Sequence, residues 1–246
     1  MLTKSQVKYI QSLNEKKFRR EYGVFVAEGP KIINELIASP VIEPIALYAS
    51  PEWWQQNKGS KNQIPLTQFY ELSQSELERI SFLTTPHQVL GIFKQPVFSS
   101  ITLMNTITIL LDGIQDPGNL GTIIRIADWF GVSQIVASTD SVDSYNPKVV
   151  QSTMGSIARV KIVYEDIQSF IKANKEIPLY ASTLHGKTLS TVGKIKEAML
   201  IVGNESKGIS EEILRVSNHQ ITIPKLGHAE SLNAAVALGI ILSHVV

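Results

Sequence analysis

The chain contains no cysteine in 246 residues, which excludes disulfides, thiolate zinc sites and thiol nucleophiles together. It has no apolar run of the ~18 residues that a membrane helix needs. The stretch from Met1 to Lys31 is dense in charge, so neither a membrane span nor a signal peptide is expected there. The five histidines are scattered without H-E-x-x-H or H-x-x-x-H spacing, so no metal site is expected. No G-x-S-x-G elbow is present to anchor a serine hydrolase. A net charge of +1 leaves no global nucleic-acid footprint. The remaining expectation is a globular, cytoplasmic protein of ordinary apolar content, 43%, long enough for two modest domains.

Alternating strand and helix signals predict an α/β fold with a largely parallel sheet. Thr3 with Gln6, and Ser73 with Glu76, form capping-box patterns ahead of apolar spacing. Val24–Ala27, Ile45–Tyr48 and Gln88–Phe93 read as strands, and Pro30 opens a helix. These elements predict a smaller α/β domain over 1–95. Residues 96–105, rich in Ser, Thr and Asn, read as a linker. A second domain over 106–246 begins with Thr106–Leu111, apolar nearly throughout, as suits a parallel strand covered on both faces.

Basic residues crowd the start of the chain. Lys16, Lys17, Arg19 and Arg20 lie among Tyr9, Phe18 and Tyr22, a composition that could hold an RNA backbone and stack on bases. A solvated helix face is the plainer alternative.

Three glycine-bearing stretches each follow a strand-like run. The first, Asp116-Pro117-Gly118-Asn119-Leu120-Gly121, leads into a helix with Asn119 as its expected N-cap and Gly131 just past its end. Arg125 sits inside that helix among Ile123, Ile124 and Ile126, where its guanidinium must snorkel, find a carboxylate or meet an anionic ligand. The second, Gly203-Asn204-Glu205-Ser206-Lys207-Gly208, imitates a P-loop in spacing. Ile209 stands where a P-loop needs lysine, which argues against nucleotide hydrolysis. The third runs from Ile223-Pro224 through Gly227 to Ser231-Leu232-Asn233. It opens a last helix that is apolar on most sides, with Ser231 as the expected N-cap.

In identity, order and spacing these stretches resemble the three motifs of the SpoU (TrmH-type) RNA 2′-O-ribose methyltransferases of the SPOUT superfamily. The first fits N-x-G-x-x-x-R, the second G-N-E-x-x-G and the third I-P-x-x-G-x-x-x-S-L-N. Phe25-Val26-Ala27-Glu28-Gly29 after a basic helix also resembles the family's L30e-like substrate-binding domain. The resemblance implies a C-terminal deep trefoil knot, a homodimer and S-adenosylmethionine as cofactor, with structured RNA as substrate, ribosomal before transfer RNA. By motif position it implies Arg125, Asn119, Glu205, Ser231 and Asn233 around the reacting groups. Thr183, Gly203, Ile223 and Leu232 would contact the cofactor, and Lys16, Lys17, Arg19 and Arg20 the RNA. A catalytically silent RNA-binding protein retaining the fold is the alternative, and the intact polar set argues against it.

Overall fold

The computed structural model describes residues 2–57, 69–98 and 101–246. Two compact units are present, Met1–Val97 with Asp143–Ala158, and Phe98–Val142 with Arg159–Val246. The expected linker over 96–105 includes 99–100, which fall outside the described residues.

In the first unit, strands β1 (Val24–Glu28), β2 (Pro44–Ala49), β3 (Phe69–Glu71) and β4 (Val89–Lys94) form a mixed sheet in the order β1-β4-β2-β3. Helices α1 (Lys4–Ser12), α2 (Lys16–Tyr22), α3 (Pro30–Ala38), α4 (Pro51–Gln56) and α5 (Gln74–Glu78) accompany it. Both capping boxes form, at Thr3 and at Ser73, each contributing on the order of 1 kcal/mol to its helix. The alternate side chains of the strands feed two cores. One gathers Phe25, Ile33, Leu36, Trp53 and Phe93, the other Ile10, Leu13, Leu77, Leu90 and Ile92.

The second unit holds six strands, all paired in parallel, in the order β10-β8-β9-β5-β6-β7. In chain order they are β5 (Ile107–Asp112), β6 (Gln134–Ser138), β7 (Lys161–Glu165), β8 (Leu179–Thr188), β9 (Ala198–Gly203) and β10 (His219–Thr222). The helices between and after them are α6 (Pro117–Trp129), α7 (Pro147–Thr153), α8 (Ile167–Ala173), α9 (Glu211–Val216) and α10 (Ala234–Val245). The class is the α/β, largely parallel one that the alternating pattern predicted. From β5 the chain builds outward through β6 to β7, then crosses to the other side for β8, β9 and β10. The order therefore reverses between β5 and β9, and a crevice at the carboxyl ends of those two strands is where open α/β sheets take ligands. Asp112 and Gly203, the last residues of β5 and β9, are register partners, so the loops that follow them start side by side.

α7 and its flanks, Asp143–Ala158, belong to the first unit, although the sequence boundary placed them in the second domain. Val150, Ile157 and Ala158 join the Phe25 and Trp53 core, and Tyr145 lies 5.0 Å from Phe25, centroid to centroid. Arg19, only 1% exposed, is tied to the same segment. Its Nη2 meets Asp143 Oδ2 at 2.5 Å and its Nη1 donates to the carbonyls of Leu13 and Asn14. This corrects the expectation for Arg19. Its guanidinium is consumed inside the fold and is not offered to RNA, whereas Lys17 and Arg20 are exposed and Lys16 is half-buried.

Candidate active site

The loop after β5 turns at Gly113, whose φ of +74° is a conformation that glycine adopts without strain. The Gly113 N–H donates to Ser138 Oγ at 2.8 Å and its carbonyl accepts from Asn204 Nδ2 at 2.7 Å. Asn204 thereby fastens the first motif's loop to the second. Its Oδ1 also accepts from the N–H groups of Ser206 and Lys207, and its backbone exchanges two hydrogen bonds with Gly208, so the loop after β9 closes on itself. Gly203 allows the closure, since a Cβ there would stand 2.3 Å from the carbonyl carbon of Gly208. Asp112 Oδ2 accepts from the Ser210 N–H at 3.0 Å and holds the far side of the loop to β5.

Asp116, not Asn119, caps α6. Its Oδ1 accepts from the Asn119 N–H at 2.8 Å, with Pro117 in the first turn. Pro117 has no N–H to satisfy and a φ already suited to a helix, so the cap falls before it. With Asp116 as the cap, the Asn119 side chain is available for other contacts. Its Nδ2 donates to Glu205 Oε1 at 2.6 Å, and its Oδ1 accepts from Asn233 Nδ2 at 2.7 Å.

The start of α10 is corrected in the same way. Asn233, rather than Ser231, is the N-cap, its Oδ1 accepting from the N–H groups of Ala235 and Val236. One residue from each motif, Asn119, Glu205 and Asn233, therefore meets in a single hydrogen-bonded row. Ser231 and Arg125 are exposed and lie outside that row, with no hydrogen bond or ion pair among the described residues. Arg125 projects from α6 into solvent as an uncommitted cation.

Of the side chains expected around a cofactor, Thr183 is the most telling. Its Oγ1 is buried and has no hydrogen-bond partner among the described residues, an arrangement costly enough to imply a missing ligand or solvent group. It lies where the pairing of β8 with β10 jumps from Ala181–Gln220 to Lys187–Ile221, so the strand bulges around it. Ile223 is half-buried just past β10, and Leu232 is 49% exposed ahead of α10. The Ser210 hydroxyl, which sequence reasoning did not single out, is also buried without a partner among the described residues. Asn204 and Asp112 were likewise missed. The signal for Asn204 lay in the G-N-E stretch itself, and that for Asp112 in the one charge ending an apolar strand.

An open parallel sheet with two amides and a carboxylate converging beside its switch point defines a ligand-binding α/β protein. Residues 106–243 match the SpoU rRNA Methylase family, and residues 4–91 match the MRM3-like substrate binding domain. The chain belongs to the SpoU rRNA methylase family. It is 30% identical to the 23S rRNA (guanosine(2553)-2′-O)-methyltransferase RlmP of Bacillus subtilis, across 97% of this chain and 95% of that one. Among solved structures, the AdoMet-bound rRNA methyltransferase of Sinorhizobium meliloti superposes with a TM-score of 0.86 at 31% identity, covering 98% of this chain and 94% of that one. A TrmH-family structure from Porphyromonas gingivalis gives 0.86 at 34% identity, covering 99% and 97%.

Proposed function

We propose that this protein is an S-adenosylmethionine-dependent methyltransferase that modifies a ribose 2′-hydroxyl of structured RNA, ribosomal RNA before transfer RNA. The observation that carries the reading is the convergence of Asn119, Glu205 and Asn233 beside the switch point, in a chain of this family. Nothing in the site favours the silent RNA-binding alternative.

The bound cofactor would supply a methyl group on a sulfonium, and the chain's residues supply everything else. Thr183 Oγ1 offers a buried hydroxyl to a polar edge of the ligand, and the closed loop from Gly203 to Gly208 provides backbone groups beside it. Ile223 and Leu232 add apolar cover. Transfer then requires a 2′ oxygen held in line with the methyl carbon and relieved of its proton. Arg125 can grip the adjoining phosphate with two parallel N–H groups and stabilise the negative charge that grows on the oxygen. Its part in the transfer is to orient the hydroxyl and the phosphate beside it. Glu205, with one oxygen receiving the Asn119 amide, and Ser231 complete the polar wall.

The same reading includes a homodimer. Trp129 at the end of α6 is 85% exposed, and Val236 and Ile240 on the adjacent α10 are 50% and 38% exposed. An apolar band of this kind supports burial against a second copy. It also includes the deep trefoil knot. Support comes from the close backbone approach of Gly186 to Gln220 where β8 pairs with β10, too close for any Cβ. The same reading includes a cytoplasmic location, which the ribosomal substrate permits without requiring.

The test is direct. Purified protein with S-adenosylmethionine and unmodified ribosomal RNA should yield alkali-resistant dinucleotides at one position, and deleting the gene should remove that modification from cellular RNA. Cofactor binding without transfer to either ribosomal or transfer RNA would overturn the assignment.

A further inference from the structure

In the first unit, α1 and α2 carry an aromatic cluster at the surface. Tyr22, the last residue of α2, meets Tyr9 edge-on at 5.2 Å between centroids and stacks with Phe18 at 6.4 Å, 14° between planes. Tyr9 and Phe18 are half-buried, whereas Tyr22 remains 47% exposed. Two anchored rings thus hold a third in solvent, and Gly23, in the left-handed region, ends the helix directly after it. Lys17 Nζ lies 5.6 Å from the Phe18 centroid. The two helices also expose Lys4, Lys8, Lys17 and Arg20, against exposed Glu15 and Glu21 at and within α2.

Resting on the RNA methyltransferase reading, we infer that Tyr22 is a stacking platform for an unpaired RNA base, with Lys17 and Arg20 on the flanking phosphates. An aromatic face accepts any base, and removing such a platform lowers affinity by about 5- to 150-fold. In a duplex the base faces are already stacked, so the platform can act only on an unpaired nucleotide of a loop, bulge or single-stranded overhang. The substrate class narrows accordingly to structured RNA that presents an unpaired nucleotide to α2. Arg19 has no part in this surface, because Asp143 holds it inside.

Fluorescence anisotropy with a labelled RNA stem-loop and with the blunt duplex of the same stem tests the inference. Tyr22→Ala should weaken stem-loop binding at least about fivefold, leave duplex binding unchanged and leave the salt slope as it was, since no phosphate contact is lost. Tyr22→Phe, which keeps the ring, should bind like wild type. Lys17→Ala should instead weaken both RNAs and lower the salt slope by about 0.7–0.9. Stem-loop and duplex losses of equal size in Tyr22→Ala, or no loss, would overturn the platform. Methyl transfer to ribosomal RNA by the wild-type protein separates the two failures. If transfer is present while Tyr22→Ala is silent, only the platform falls, and if transfer is absent the functional reading falls with it.

Discussion

Asn233 donates from Nδ2 to Asn119 Oδ1 at 2.7 Å across 114 positions of sequence, and the direction of that bond is fixed by the end of a helix. Asn233 Oδ1 must accept from the first N–H groups of α10, so its Nδ2 is left to donate. Asn119 then has to present Oδ1 to Asn233 and Nδ2 to Glu205. The orientation of two amides, and the supply of a donor to the Glu205 carboxylate, all follow from where α10 begins.

Asn233→Asp and Asn233→Ala separate the two jobs of this residue. Aspartate keeps the cap and adds negative charge at a helix N-terminus, so thermal stability should be unchanged or slightly higher. It cannot donate to Asn119, and methyl transfer should fall about tenfold or more, the worth of a charge-assisted hydrogen bond at Glu205. Alanine should lose the same activity and also about 1 kcal/mol of stability. An Asn233→Asp enzyme with wild-type turnover would show that the row of amides has no catalytic consequence.

The first unit should be unstable without its late segment. Arg19 is buried against Asp143, and removing one partner of such a pair costs about 3–5 kcal/mol because the other charge is left without compensation. Asp143→Ala should therefore lower the denaturation midpoint sharply, while Arg19→Met, which removes the charge and keeps much of the stem, should be milder. Residues 1–97 expressed alone lack Val150, Ile157 and Ala158 of their core and should show no cooperative thermal transition. A sharp transition from that fragment would contradict the packing.

Glu28 gives a pH-dependent signature. It is 5% exposed, and burial raises its pKa although Ser81 Oγ and the Phe82 N–H donate to its two oxygens and His87 lies nearby. A raised folded-state pKa means that the fold favours the protonated acid. Glu28's contribution is fully present below the ordinary carboxylate range and is lost as pH rises through the folded value. Glu28→Gln, which does not ionise, should gain stability relative to wild type as pH climbs from acid toward neutral. Glu28→Ala leaves two donors unpaired and should lose about 1–3 kcal/mol. Melting both variants and wild type across that range checks the sign, and a Glu28→Gln advantage that shrinks with rising pH would refute it.

The apolar band on α6 and α10 makes a separate prediction. Ile240→Lys with Val236→Lys should convert a dimer to a monomer in sedimentation at micromolar concentration, because charges would be stranded at a buried interface. Both side chains are already partly exposed in the single chain, so the monomer should stay folded. A wild-type protein that sediments as a monomer would remove the homodimer from the proposed function.

Legibility in the sequence followed the range of the interaction that decides each feature. Parallel strands were readable because β5 and β9 are apolar at nearly every position, a local property. Capping boxes at Thr3 and Ser73 were readable because donor and acceptor are three residues apart. Asp116-Pro117 was a local signal too, and Asn119 was chosen over it as N-cap although proline in the first turn points to the residue before it. Ser231 and Asn233 are both good caps by residue type, and it is Asn233 whose Oδ1 accepts from the Ala235 and Val236 N–H groups. Arg19 looked like one member of a basic run. Its burial depends on Asp143, 124 positions away, so the sequence offered no means of separating it from Arg20. The order of the sheet strands was equally out of reach, and with it the adjacency of Asp112 and Gly203.

Arg125 carries the most discriminating catalytic prediction. Its guanidinium is exposed, has no ion-pair partner among the described residues and sits on the same helix as Asn119, about two and a half turns beyond the Asp116 cap. On the proposed function this exposed cation serves the RNA substrate, and no hydrogen bond or ion pair among the described residues ties its side chain to the fold. Arg125→Ala should leave the melting temperature unchanged and S-adenosylmethionine affinity within about threefold, while transfer falls by roughly 10²–10³, the usual loss when one preorganised donor to a developing oxyanion is removed. Arg125→Lys keeps the charge but not the paired N–H geometry, and should recover only part of the rate. The pH–rate profile of Arg125→Lys distinguishes the roles. If arginine only orients the phosphate and stabilises charge, the lysine variant keeps the wild-type pH dependence at a lower rate. A new rise in rate with pH near the lysine pKa would instead mean that the side chain at 125 takes the hydroxyl proton itself.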